Sequence, residues 1–328
     1  MKKLIKTLRS SPRLSEKTNL SSIWKNFPKF PIIEGKNVSL GDDAAAIEYD
    51  GQYLLLAAEG VYQPLLQSNP HLAGRTSVLT NVNDIYSMGG RPVAVLDVLF
   101  SSSVEEVNQI LSGIYENASR YKVPVVGGHL STKSNNSALA VFILGKAKKL
   151  LSSFNAREGD DLVLVTSKSG KFYPEYKFWD SSSELNDSEV VGQLEILPQL
   201  AEEGVADSAK DVSMAGAIGS IMMLLECSEK GAEICIENIS TPYGVELEDW
   251  LLTFPSYGFI LSLRTDKTAK VQKKFNNHSL LCEKIGKVHA EPKVYFTGEN
   301  GVREIFWDLQ QQSYLGFKQS DSKRVING

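Results

Sequence analysis

Five short stretches carry side chains whose types and spacing could do chemistry. In Gly41-Asp42-Asp43-Ala44-Ala45-Ala46 the glycine permits close backbone approach, the paired carboxylates can hold a hard cation, and the small residues leave room for a bulky ligand. A turn with solvated acids fits the same residues. Glu59-Gly60 closes the apolar run Leu54–Ala58, so Glu59 either projects into a site or marks a polar turn. Asn81 and Asp84 share one helix face at i, i+3 within the run that ends at Gly89-Gly90. A carboxylate near a helix C-terminus is electrostatically unfavourable unless a cation compensates it, so Asp84 reads either as a metal ligand or as part of a solvated face. Val125-Val126-Gly127-Gly128-His129 runs an apolar strand into a glycine pair. That pair suits a backbone offering N–H groups to phosphate, or a plain bulge. Asp211-Val212-Ser213-Met214-Ala215-Gly216 opens a helix: Asp211 or Ser213 could cap it, or the helix start could hold an anion.

The elements that must position these residues alternate in type. Strands are expected at Asn37–Leu40, Ala44–Glu48 and Tyr53–Ala58, followed by a helix from about His71 to Met88 that Gly89-Gly90 and Pro92 terminate. Val93–Phe100 reads as a strand, and Ser103 as the N-cap of a helix reaching about Tyr121 with Glu105 and Glu106 in its first turn. Val123–Val126 and Ala138–Leu144 complete an α/β or α+β layer. A second unit opens near Asn155, with strands at Leu162–Thr166, Glu233–Glu237, Gly258–Leu263 and Lys284–His289. Its helices are expected at Val190–Glu203, Ala215–Ser228 and Glu246–Leu252, with a polar loop over Asp180–Ser188. The division is thus expected as 1–154 and 155–328, with a short helix and a mobile arm in the basic first 35 residues.

Composition limits the function. At 328 residues, 42% hydrophobic and 23% charged, the chain has the makeup of a two-domain globular protein. A net charge of −4 argues against a general nucleic-acid binder, which needs a basic surface, but not against a small anionic ligand. Cys227, Cys235 and Cys282 have no paired spacing and read as reduced thiols. No signal-peptide core follows the basic start, and no apolar run has the length of a membrane span, so a cytoplasmic protein without membrane contact is expected. There is no Walker-type glycine-lysine loop, kinase loop, HExxH motif or nucleophile elbow.

The order of the motifs is more specific than any one of them. Gly41-Asp42-Asp43-Ala44-Ala45, the acid-ended strand at Glu59, Asn83-Asp84-Ile85 with Met88-Gly89 and Arg91-Pro92, Gly127-Gly128-His129, and Asp211 with Ser213 and Gly216 resemble the superfamily of AIR synthase (aminoimidazole ribonucleotide synthase), thiamine-monophosphate kinase and selenophosphate synthetase. Ala147–Asp161 resembles that superfamily's domain crossover, and Lys210–Leu225 and Trp250–Phe259 look typical of its AIR-synthase-related members. The resemblance implies an α/β plus α+β two-domain fold. It further implies that the N-terminal domain would form a shared β-barrel in a homodimer, that the C-terminal α+β domain would pack outside it, and that ATP would lie with Mg²⁺ in the cleft between domains. It makes Asp43, Glu59, Asp84 and Asp211 the expected metal ligands, and Asp84 and His129 the expected catalytic residues. Gly41, Asp43, Asn81, Gly127, Gly128 and Ser213 become the expected nucleotide contacts.

The departures are informative. Ala57 and Ala58 stand where thiamine-monophosphate kinases have Ser and Thr, His129 stands where they have the aspartate after Gly-Gly, and Met214 replaces the second aspartate of their C-terminal motif. These argue against thiamine monophosphate as substrate. The absence of any cysteine before Cys227 argues against selenophosphate synthesis, and the final Val325-Ile326-Asn327-Gly328, without a cysteine, against hydrogenase maturation. The leading expectation is ATP-dependent phosphoryl transfer to, or activation of, a small metabolite. The alternative is a nucleotide-binding regulator that kept the fold without turnover.

Overall fold

The computed structural model describes residues 1–18, 32–33, 35–173, 176–254, 258–298 and 301–316. The mobile arm expected near residues 19–31 and the final residues 317–328 lie outside the described residues. The chain begins with two short helices, α1 (Lys2–Arg9) and α2 (Pro12–Thr18), and a small hairpin of β1 (Ile32–Ile33) and β2 (Lys36–Asn37). The first larger unit comprises β3 (Ala45–Tyr49), β4 (Gln52–Gly60), α3 (Gln63–Ser68), α4 (Pro70–Ser87), β5 (Arg91–Phe100), α5 (Val104–Arg120), β6 (Val125–Ser131) and β7 (Ala138–Ala147). Its five strands form one sheet in the order β3-β4-β7-β5-β6, antiparallel except for the parallel β5–β6 pair.

The second unit contains β8 (Asp161–Thr166), a β9 (Lys171–Phe172) and β10 (Trp179–Asp180) hairpin, α6 (Asp187–Leu194), α7 (Ile196–Glu202), β11 (Ser208–Asp211), α8 (Gly216–Cys227), β12 (Gly231–Cys235), α9 (Leu247–Leu251), β13 (Gly258–Leu263), α10 (Thr265–Asn276), β14 (Leu281–His289), β15 (Lys293–Thr297) and β16 (Arg303–Asp308). Seven of its strands form a mixed sheet, β11-β13-β8-β14-β12-β15-β16. Strand side chains alternate between faces, and here the two faces feed different cores. Val163, Val165, Phe259 and Leu261 join the cluster shared with α4 and the first sheet, while Leu162, Leu164 and Ile260 join the cluster under α8. This explains why β8 and β13 read as unbroken apolar runs. Ile5, Leu8 and Leu14 of the first two helices also pack in the second cluster, against the C-terminal sheet, and Arg9 Nε donates to the Phe306 carbonyl at 2.6 Å.

Helix α4 is the axis of the molecule. Asn69 caps it by accepting from the Leu72 N–H at 3.1 Å, with Pro70 at its first position. Gly89, at φ +75°, closes it with a Schellman arrangement: Gly89 N–H to Tyr86 O at 2.9 Å and Gly90 N–H to Ile85 O at 3.0 Å. It is buried on nearly every side, between the first sheet, α5, α7 and β11. Its crossing with α5 is set by two glycines. A Cβ on Gly74 would stand 2.2 Å from Ile110 O, and one on Gly113 2.1 Å from His71 O.

Several expectations are corrected. The single helix expected over Val190–Glu203 is two, because Pro198 has no N–H for the Leu194 carbonyl and the chain breaks at Glu195. The polar loop ends earlier than expected, since Asn186 and Glu189 form a capping box that starts α6 at Asp187. The strand expected at Asn37–Leu40 is only the Lys36–Asn37 rung. Neither Asp211 nor Ser213 caps α8, whose N-cap position is Ala215.

Gly74→Ala should lower the unfolding free energy by about 1–3 kcal/mol through overpacking at the α4–α5 crossing. Gly192→Ala, in α6 with nothing within 4 Å of the added methyl, should be neutral or stabilising by up to about 1 kcal/mol. Urea denaturation of both variants checks this, and an unaffected Gly74→Ala protein would contradict the close crossing.

Candidate functional site

Three segments far apart in sequence converge where the two sheets meet across α4. The loop before β3 turns at Gly41, whose φ of +110° suits glycine. It then sends its two carboxylates in different directions. Asp42 accepts from Ser152 Oγ at 2.6 Å and Ser153 Oγ at 2.7 Å, fastening the loop to the crossover between the units. Asp43 accepts from Ser87 Oγ of α4 at 2.7 Å and from the Asp211 N–H at the end of β11 at 3.0 Å, and pairs with the Lys210 ammonium. Beneath the loop, the buried Cys227 thiol donates to Gly41 O at 3.6 Å. Burial holds that thiol well above its usual pKa, so it packs as a neutral group.

Asp84 comes from the last full turn of α4 and Asp211 from the end of β11; both are buried. One carboxylate oxygen from each of Asp43, Asp84 and Asp211 lies within 4.8 Å of the others. Glu59, near the end of β4, lines the same cleft. Burial raises Asp84 and Asp211 well above the usual carboxylate range, reinforced for Asp84 by Glu59, Asp211 and Asp43 and for Asp211 chiefly by Asp43. Burial likewise raises Glu59 and Asp42. Burial alone would lower Lys210, but the nearby Asp43, Asp211 and Asp42 together outweigh it and hold the ammonium charged.

The residues fit a hard divalent cation. The donors are carboxylate oxygens, and buried Asp84 Oδ2 has no hydrogen-bond partner. Such a group is costly to bury unless a ligand completes it. The cleft beside it has a volume of about 280 Å³. Gly41, Thr80 and Ser213 contribute to its polar wall, Phe254, Met223 and Leu315 to an apolar one, and Lys17 reaches it from α2.

Of the residues expected from sequence, Gly41, Asp43, Glu59, Asp84, Asp211 and Ser213 meet here. Asn81 is fully buried with its Nδ2 on Ser77 O at 2.8 Å, and Thr80 lines the cleft from that turn. Gly127, Gly128 and His129 lie on β6, the exposed edge strand, and do not line the cleft of the single chain. There Gly128 packs on Asp97, and the His129 ring stands edge-on to Phe100 at 6.4 Å. Sequence reasoning missed Lys210 as a site residue. No local signal could have found it: Ser208-Ala209-Lys210-Asp211 reads as polar, and its burial along the whole strand appears only in the structure.

Comparisons with known proteins agree with this architecture. Residues 41–147 match the model of the AIR synthase related protein, N-terminal domain, and residues 157–299 that of the AIR synthase related protein, C-terminal domain. An uncharacterized protein of Synechocystis sp. is 44% identical over 288 residues, 87% of this chain and 89% of that one. Among solved structures, T. maritima PurL complexed with ADP aligns with a TM-score of 0.74 at 18% identity, over 97% of this chain and 53% of that chain. This chain therefore spans about half of that PurL. AaThiL complexed with AMPPCP and TMP aligns with a TM-score of 0.59 at 21% identity, over 78% of this chain and 87% of that chain.

In metal-free buffer Asp84→Asn should be as stable as wild type near pH 4 and increasingly more stable above it. The folded-state pKa of Asp84 is raised, so wild type loses stability as pH climbs from the unfolded-state value of about 3.9 through the folded one, whereas asparagine does not titrate. Thermal melts of both proteins in EDTA across pH check this. A variant less stable than wild type at every pH would make Asp84 a structural residue.

Proposed function

Because this chain belongs to the AIR synthase related protein family, we propose that it binds ATP with Mg²⁺ in the acidic cleft and uses it to phosphorylate, or to activate for condensation, an oxygen of a small metabolite. The observation that carries this reading is the convergence of Asp43, Asp84 and Asp211, with the partnerless Asp84 Oδ2, beside a cleft with one apolar wall. Relatives and neighbours include PurL, selenide, water dikinase and ThiL, and PurL structures are complexed with ADP, AMPPCP and ATP. These names support ATP-driven chemistry in general without fixing a substrate.

Asp43, Glu59, Asp84 and Asp211 would hold the cation, with Gly41 and Ser213 against the nucleotide. Bound Mg²⁺ would supply charge neutralisation at the phosphates. A loose phosphoryl transfer needs little covalent chemistry from the protein, so the chain's part is to position the reactants and exclude water. Phe254, Met223 and Leu315 offer the apolar surface that a base requires. Ala57, Ala58 and Met214 remove polar groups that thiamine-monophosphate kinases carry, which favours a different acceptor. The same replacements favour, as a second reading, a nucleotide sensor without turnover. Metabolite-stimulated ATP hydrolysis would support the enzyme, and tight binding without turnover the sensor.

The working unit in this proposal is a cytoplasmic homodimer. One face of the first sheet packs on α4, while the other exposes Leu56, Leu96 and Phe100. A second copy would cover this face and bring the Gly127-Gly128-His129 edge strand into the interface, where Gly127 and Gly128 are proposed to meet the nucleotide and His129 to act in catalysis. Among the described residues no helix is long and apolar enough to cross a membrane.

Mg-ATP should stabilise the wild-type fold by about 2.7 kcal/mol at 100 times its Kd. Asp84→Asn should lose most of that gain in a thermal-shift titration; equal protection of both proteins would remove Asp84 from the site. Separately, wild type should sediment as a dimer at micromolar concentration and Leu56→Glu/Leu96→Glu as a monomer. A stable wild-type monomer would count decisively against the shared-sheet assembly.

A further inference from the structure

Lys210 is the feature of the cleft that the motifs do not explain. Its side chain is 4% exposed and its Asp43 partner's is 3% exposed. A buried ammonium is tolerated only with anionic partners, and Lys210 has its own in the middle of the carboxylate cluster. Asp43 Oδ1 takes the ammonium, and Oδ2 takes Ser87 Oγ and the Asp211 N–H, so three donors occupy a carboxylate with about four acceptor positions. Asp84 Oδ2, an oxygen of the same cluster, takes none. Of the acids expected to share a metal, one is already engaged by a cation from the chain itself and one is open.

We propose that Lys210 is the resident cation of this site: it neutralises Asp43 in the empty cleft, keeps the affinity for a lone divalent ion low, and so makes metal entry depend on the added negative charge of a nucleotide. The inference deepens the metal-nucleotide reading above and rests on it. With Lys210 in place, the clustered acids are partly compensated and the empty site stays folded. A divalent ion arriving alone at Asp84 and Asp211 meets the ammonium a few ångströms away and finds Asp43 already engaged. Nucleotide phosphates add the anionic charge that lets ammonium and metal share the cleft. Among the described residues Lys17, on α2, is the other cation lining the cleft, and it acts on Glu59 rather than pairing with Asp43.

The test uses Mn²⁺ alone, without nucleotide, titrated calorimetrically and by thermal melting into wild type, Lys210→Gln and Lys210→Arg. Glutamine can keep a hydrogen bond to Asp43 and loses only the charge, which favours a folded variant. Lys210→Gln should bind Mn²⁺ at least about tenfold more tightly than wild type, since a unit charge at this range and an effective dielectric near 20 is worth more than that. Its metal-free Tm should fall, and saturating Mn²⁺ should recover most of the loss. Lys210→Arg, which keeps the charge, should bind Mn²⁺ nearly as wild type does. Wild-type binding matched by Lys210→Gln overturns the inference and leaves the metal reading standing. A Lys210→Gln protein that loses equal stability with and without Mn²⁺ has lost a packing residue, which also overturns it. If none of the three proteins binds Mn²⁺, both the metal reading and the inference fall.

Discussion

The structure turns on the carboxylate of Asp43. Its two oxygens receive the hydroxyl at the end of α4, the backbone N–H that closes β11 and the ammonium of Lys210, so one side chain ties together three segments from opposite halves of the chain. The knot has an electrostatic cost. It draws Asp84 and Asp211 into the same buried volume, where desolvation and mutual repulsion both oppose their charged forms. A sequence selected for stability alone would not gather these groups. Their convergence, on a helix closed by a Schellman glycine and a strand buried throughout, is what motivates the proposed binding site.

Neighbouring residues of one chemical type have separate roles. Asp42 is saturated by Ser152 and Ser153 and holds the loop to the crossover, while Asp43 faces the cleft. The seven-stranded sheet shows a related division. Successive residues of β8 and β13 serve two cores, one shared with the N-terminal sheet and one beneath α8. That sharing fixes β11 relative to α4, and the proposed cation site, made from both elements, depends on it.

Much of this was legible in the sequence where local chemistry decides the outcome. Gly89-Gly90 ends α4, and the Ser103 cap and the acid-rich first turn of α5 lie where their residues indicate. The motif order gave the family and the acids of the cleft. The rest was hidden for physical reasons. Strand β11 contains serine, lysine and aspartate, and only tertiary burial makes it a strand. Helix α10 is mostly polar, and its buried stripe is only Thr268, Val271 and Phe275. Lys210 looks like any surface lysine until the partners that neutralise it are brought in from Asp43 across 167 residues. Gly127, Gly128 and His129 show the converse: a motif that stands out in sequence lies on an exposed edge strand, away from the cleft.

The docking of α1 against β16 has a bearing on how the molecule is made. Leu8 is fully buried in a core that includes Phe306 and Trp307, and the Arg9–Phe306 hydrogen bond spans 297 residues. On the ribosome, α1 therefore cannot settle until β16 has been made. Contacts of such sequence separation form late because loop closure precedes any gain from them. Because α2 follows α1 and carries Lys17 to the cleft, that part of the cleft wall depends on a contact of large sequence separation. A half-folded molecule in which α1 has not docked thus lacks this part of the cleft wall, and the proposed ligand would meet an incomplete pocket.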